Sequence, residues 1–123
     1  MITSQTTLII AAAFGALSII LGAFGAHFLK KKLTEDQQKS FETGVKYQMY
    51  HTIVLLVLGL NFQPKFANAV LLFILGIIFF SFSIYGLVLS DTFGKKLRFL
   101  GPITPIGGLL LTIGWVLLVL SHL

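Results

Sequence analysis

The sequence predicts an all-α protein: an integral membrane four-helix bundle with both termini on the extracytoplasmic side. Three observations predict it. Of 123 residues only 11% are charged and 56% are hydrophobic, against about 25% charged in a typical soluble domain. Four apolar segments are each long enough to cross a hydrocarbon core of about 30 Å at 1.5 Å rise per residue. The basic residues fall almost entirely on one side of the threading that those segments define.

The first span is 7–29, "TLIIAAAFGALSIILGAFGAHFL". Ala11, Gly15, Ser18, Gly22 and Ala26, with Gly25 beside them, recur at spacings of three and four and share one helix face. Small residues in such a stripe let two helix backbones approach closely. The loop that follows contains "LTEDQQKSFETG". Thr34 with Gln37 three residues on is a capping box, so a helix is expected to start near Glu35. Glu35–Lys39 and Glu42–Lys46 are Glu-first i,i+4 pairs on a solvated stripe. Phe41 and Val45 belong to the apolar side, and Gly44 is an expected bend.

The second span is 45–62, "VKYQMYHTIVLLVLGLNF", polar at its start and aliphatic at its end. The third is 67–90, "ANAVLLFILGIIFFSFSIYGLVLS", and the fourth is 101–121, "GPITPIGGLLLTIGWVLLVLS". Pro102 fits a first helical turn, where the missing N–H costs nothing. Pro105 lies about a turn further in, so the expectation is a late or bent helix start. Gly107 and Gly108 form a second small-residue contact, and Trp115 falls near mid-span as a packing residue. The four spans leave no room for a separate soluble domain, so 1–123 reads as one membrane domain.

The N-terminal tail and the C-terminus carry no Lys or Arg. Lys30, Lys31, Lys32 and Lys39 lie in the first loop with Lys46 just beyond, Lys65 alone lies in the second, and Lys95, Lys96 and Arg98 lie in the third. Eight of the nine basic residues therefore share one side, which the positive-inside rule makes cytoplasmic. Lys30, Lys31, Lys32, Lys95, Lys96 and Arg98 are expected to face anionic lipid headgroups. The net charge of +5 has no nucleic-acid reading, because the short loops offer no reading element. The N-terminus lacks the basic region and cleavage site of a secretory signal.

Polar residues inside the spans are costly in lipid and are expected to point inward and bond one another. His27 ends span one. Tyr47, Gln48 and His51 begin span two. Ser81, Ser83 and Tyr85 lie toward the end of span three, and Thr104 begins span four. All are expected in the cytoplasmic half, as one polar layer of four helices. Tyr47 and His51 share a face at i,i+4, and His27 is expected at similar depth. A neutral imidazole donates at one nitrogen and accepts at the other, so His51 suits a bridge between helices.

This layer has two leading readings: a hydrogen-bonded clamp, or a cytoplasm-facing pocket for a lipid headgroup or small polar ligand. Glu42 and Asp91 are the carboxylates placed to reach such a pocket. No metal site is expected, since two histidines lack a third ligand. Proton relay lacks a mid-membrane acid. The absence of cysteine removes disulfides and thiol chemistry. No phosphate-cradling loop, nucleophile elbow or zinc-protease motif is present, so no enzyme activity and no cofactor are expected.

Four motifs carry a resemblance: "GAFGAH" (22–27), "FETGVKYQMYH" (41–51), "FSFSIY" (80–85) and "GPITPIGG" (101–108). Together they resemble the family of small bacterial membrane proteins typified by YwdK and YgdD, over nearly the whole chain. The resemblance implies a four-helix integral membrane protein of uncharacterised function. Its motifs map onto His27, Tyr47, Gln48, His51, Ser81, Ser83, Tyr85, Pro102 and Pro105. The family pattern in span three reads F-S-G-S-x-Y, and Phe82 replaces its glycine. The expected protein is thus a non-enzymatic component of the bacterial cell membrane. Its expected partners are membrane lipids, an unknown small ligand and further copies of itself. The alternative is a small oligomeric transporter or proton/ion channel.

Overall fold

A computed structural model describes residues 1–123. The architecture is all helical. Helix α1 spans Ser4–Ala23 and continues through a π-helical turn, Phe24–Phe28. Helix α2, Glu35–Leu60, is one unbroken rod. After a short 3₁₀ turn, Pro64–Phe66, helix α3 runs from Ala67 to Ile77. A second π turn, Ile78–Phe82, joins it to α4, Ser83–Phe93. A 3₁₀ turn at Arg98–Leu100 then leads into α5, Ile103–Leu120.

Local chemistry explains the ends. The Thr34 hydroxyl accepts from the Gln37 N–H (3.1 Å) while the Thr34 N–H donates to Gln37 Oε1 (2.9 Å), so the expected capping box starts α2. Thr3 and Thr6 form a second such box at the start of α1, unannounced by a Glu or Gln at the third position. Pro102 immediately precedes α5, and Pro105 sits within its first turn. No intrahelical N–H bond is needed there, so α5 starts late in the expected span, at Ile103, and runs unbroken to Leu120. Gly44 lies inside α2 without interrupting it. It is buried because the Tyr85 ring packs on it: a Cβ there would lie 2.8 Å from Tyr85 Cε1.

Three stretches are long and apolar enough to cross a membrane: Ser4–Phe28, Pro64–Phe93 and Arg98–Leu120. The first half of α2 carries Glu35, Asp36, Lys39, Glu42 and Lys46, which lowers its apolarity. Gln48, His51 and Thr52 are nonetheless buried among the other helices. Ile9, Ile19, Leu60, Val116 and Val119 point outward. In lipid such residues face a solvent as apolar as themselves.

Helix α1 packs along α2, and α3 along α5, while α3, α4 and the second π turn close against α2. One core gathers Ala11, Leu55, Val70, Phe73, Ile77 and Leu111. A smaller one gathers Leu29, Phe41, Ile84, Tyr85 and Val88 near the basic loops. The small-residue stripe of α1 is its contact with α2. Cβ atoms on Gly15 and Gly22 would touch Thr52 and Val45 at 3.5 and 3.4 Å, and one on Gly25 would press on the Phe41 ring at 2.6 Å. Ser18 is buried in the same seam. Gly107 is the tightest approach, where a Cβ would strike the backbone of Phe79 and Phe80. Gly108 meets only the Phe80 ring, at 3.6 Å. Phe82, standing where the family pattern has glycine, fills rather than opens its site: its ring lies edge-on to Phe14 at 5.8 Å.

Candidate functional site

The expected single polar layer is instead a set of separate clamps, each joining particular helices. At His51 the ring nitrogen Nε2 accepts from the indole N–H of Trp115 (3.1 Å), and Nδ1 lies 2.7 Å from the Tyr47 carbonyl. An indole only donates and a carbonyl only accepts. The imidazole is therefore neutral, with its proton on Nδ1. Both nitrogens are used, which ties α2 to α5. His51 also packs beside Phe73, with ring centroids 5.7 Å apart. It lies about 9 residues from the end of α2, roughly 14 Å at 1.5 Å per residue. His51 is thus near the middle of the bundle rather than at its basic-loop edge.

Gln48 is fully buried. Its Nε2 donates to the Phe14 carbonyl (2.9 Å) and its Oε1 accepts from the Tyr85 hydroxyl (2.6 Å), joining α1, α2 and α4. The two bonds fix the orientation of the amide. Ser81 donates to the Gly44 carbonyl (2.7 Å), and Ser83 and Thr104 pair through their hydroxyls at 2.6 Å. Ser81 lies within the second π turn, where a widened helical turn often marks a site of function.

Two expected members are elsewhere. His27 lies in the first π turn and is exposed. The wider turn rotates it away from α2, whose side is taken by Gly25 against Phe41. Tyr47 is 43% exposed; beyond its carbonyl at His51 it takes part through its ring, at 6.2 Å from His51 and 5.2 Å from Phe80, and not through its hydroxyl. Trp115 is the residue that spacing missed. Its one polar atom finds the only unfilled nitrogen of His51, and no sequence period announces a pair 64 residues apart.

The cavity lies at the basic-loop end and meets the clamps only at Thr104. It is an open groove of about 890 Å³. Ile84, Leu87 and Val88 of α4 form an apolar floor, and α2 contributes Asp36, Ser40 and Thr43 to one wall. Lys96, Arg98 and Thr104, from the third loop and the start of α5, form the other. Of the expected pocket residues only Thr104 lines it. Asp91 is at its rim as expected, with Asp36 in place of Glu42. Glu42 accepts from Gln38 (3.4 Å) beside a smaller cavity of about 170 Å³. Lys30, Lys31, Lys32 and Lys95 are exposed at the same end. Lys32 also rests over the rings of Phe28 and Phe93, at 5.1 and 5.3 Å.

Residues 21–108 match the family described as "Protein of unknown function (DUF423)". The chain belongs to this family. Relatives include the UPF0382 membrane protein SH2409 of Staphylococcus haemolyticus, 41% identical over 117 residues, 93% of this chain and 92% of the relative. The UPF0382 inner membrane protein YgdD of Escherichia coli K12 is 36% identical over 123 residues, 97% of this chain and 90% of the relative. No solved structure matches. Membership makes this chain an integral protein of the cell membrane, in agreement with its apolar helices. The matched segment of the DUF423 family contains every groove-lining residue, from Asp36 to Pro105. It also contains Gln48, His51 and Tyr85, but neither Phe14 nor Trp115, which complete their clamps.

Proposed function

We propose that this DUF423 protein is a non-catalytic lipid-binding membrane protein whose groove at the basic-loop end takes the headgroup of a membrane lipid. The observation that carries the reading is the groove itself: an apolar floor on α4 under a rim of Asp36, Asp91, Lys96 and Arg98. Its volume is in the range of ligand sites, about 300–1,000 Å³, which combine apolar lining with a few convergent polar groups. Its location suits an amphiphile. The apolar floor is continuous with the interior of the bundle, and the rim stands at the helix ends, where headgroups lie. The positive-inside rule puts this end in the cytoplasm.

The polar groups at mid-depth serve as structural clamps in this reading. Gln48 is bonded to two neighbouring helices and both ring nitrogens of His51 are engaged, which disfavours a transporter or proton-channel role for them. Delipidated protein re-exposed to a mixed bacterial lipid extract provides the test, with native mass spectrometry as readout. Retention of a lipid that Arg98→Gln diminishes and His27→Ala does not supports the groove. Equal retention by all three proteins contradicts it.

A further inference from the structure

We infer that the groove is built for a zwitterionic headgroup joining a phosphate to a primary ammonium, as in phosphatidylethanolamine. The inference rests on the headgroup reading above and specifies its chemistry.

The rim carries charges of both signs, drawn from different elements. Lys96 and Arg98 come from the third loop, on the approach to α5. Asp36 comes from the first turn of α2 and Asp91 from the last turns of α4. Arginine presents a planar fork of donors that matches phosphate oxygens, and lysine adds a compact charge beside it. The carboxylates suit a cation. Asp91 is held in place by the side chain of Gln37, whose Nε2 donates to Oδ2 at 3.0 Å. Gln37 is itself fixed, since its Oε1 accepts from the Thr34 N–H in the cap of α2. Asp91 therefore enters the groove as a positioned acceptor, engaged by an amide rather than by a cation, with Oδ1 left for a ligand.

The same lining discriminates among headgroups. Phosphatidylglycerol offers the same phosphate to the cations but only a neutral glycerol to the two carboxylates, so it forgoes their ion pair and leaves their charge beside its own phosphate uncompensated. A choline headgroup carries no N–H to donate to Asp36 or Asp91. Quaternary ammonium groups are recognised by aromatic cages, and no lining residue of this groove is aromatic. A primary ammonium has three N–H donors, which carboxylates and the hydroxyls of Ser40 and Thr43 can accept. The acyl chains then follow the apolar floor of Ile84, Leu87 and Val88.

The test uses the full chain, delipidated in detergent and titrated with micelle-solubilised dioleoyl phosphatidylethanolamine, phosphatidylglycerol or phosphatidylcholine, read by native mass spectrometry. The ethanolamine lipid is expected to be retained about tenfold better than either competitor, a difference of about 1.4 kcal/mol. Asp91→Asn is expected to remove that preference and raise phosphatidylglycerol. Arg98→Gln is expected to weaken all three. Asp36→Asn supplies a second carboxylate variant, and unchanged thermal midpoints show that each variant remains folded. Equal or better retention of phosphatidylglycerol by the wild type overturns the zwitterion inference while leaving the headgroup reading intact. Retention of no lipid, or retention unaffected by Arg98→Gln, overturns both. Soluble O-phosphoethanolamine is the final arm: binding as tight as the lipid's overturns the assignment to a membrane lipid.

Discussion

Removing the buried amide of Gln48 while keeping its bulk, as in Gln48→Leu, isolates the clamp that joins three helices. The wild-type amide donates to the Phe14 carbonyl and accepts from Tyr85. The Phe14 carbonyl keeps a second partner, the Ser18 hydroxyl at 2.8 Å. The loss therefore falls mainly on the Tyr85 hydroxyl, which loses the acceptor it donates to inside the bundle. An unsatisfied buried group costs about 1–3 kcal/mol. Within membranes the other state also finds partners, and measured couplings average about 0.6 with a maximum of about 1.7 kcal/mol. Gln48→Leu is thus expected to destabilise by about 1–2 kcal/mol, and Tyr85→Phe by about 1 kcal/mol through the orphaned Oε1. The double variant removes donor and acceptor together, so it is expected to be no worse than Gln48→Leu alone, a coupling of about 1 kcal/mol. Reversible unfolding in bicelles by steric trapping measures all four corners of the cycle. Additivity within about 0.3 kcal/mol would refute the hydrogen bond as a working clamp.

Other consequences are open to equally direct measurement. Gly107→Ala is expected to destabilise by about 2 kcal/mol or more, since its Cβ meets helix backbone that cannot yield, whereas Gly108→Ala is expected to be nearly silent; thermal midpoints in detergent separate the two. Trp115 is the only tryptophan, so His51→Leu, which removes its acceptor, is expected to shift Trp115 emission to the blue, and an unchanged spectrum counts against the indole–imidazole bond. The chain has no cysteine, which allows single-cysteine labelling in cells with an impermeant maleimide: Lys65→Cys is expected to label from outside, and Lys95→Cys only after permeabilisation.

Much of the fold was legible because lipid imposes a simple rule on it. Segments 7–29, 67–90 and 101–121 each fall within a helix or its end turns, since a stretch that apolar has few other ways to satisfy its backbone. The start of α2 was legible for a local reason, the reciprocal bonds of Thr34 and Gln37. The π turns were not legible, since one extra residue per turn leaves hardly any trace in composition, and the one at Phe24–Phe28 displaced His27 from its expected place. Depth was the other failure. The sequence pattern puts Gln48 and His51 in one layer, but they stand about 4.5 Å apart along α2 at 1.5 Å per residue. That step lets Tyr85 of α4 meet the first and Trp115 of α5 the second. The groove was hidden because its walls come from residues 36–43, 84–91 and 96–105, segments brought together only by the packing of α4 against α2.

The most direct test of a headgroup in the groove is a phosphorus-to-carbon distance measurement by solid-state NMR, on the full chain in bilayers of phosphatidylethanolamine and phosphatidylglycerol. The groove reading predicts a persistent contact between lipid phosphorus and the guanidinium carbon of Arg98, kept when Asp91→Asn and Asp36→Asn are combined, because phosphatidylglycerol then also fills the cationic side. Phosphorus contacts confined to the outer lysines Lys30 and Lys31, with none to Arg98 or Lys96, would contradict it.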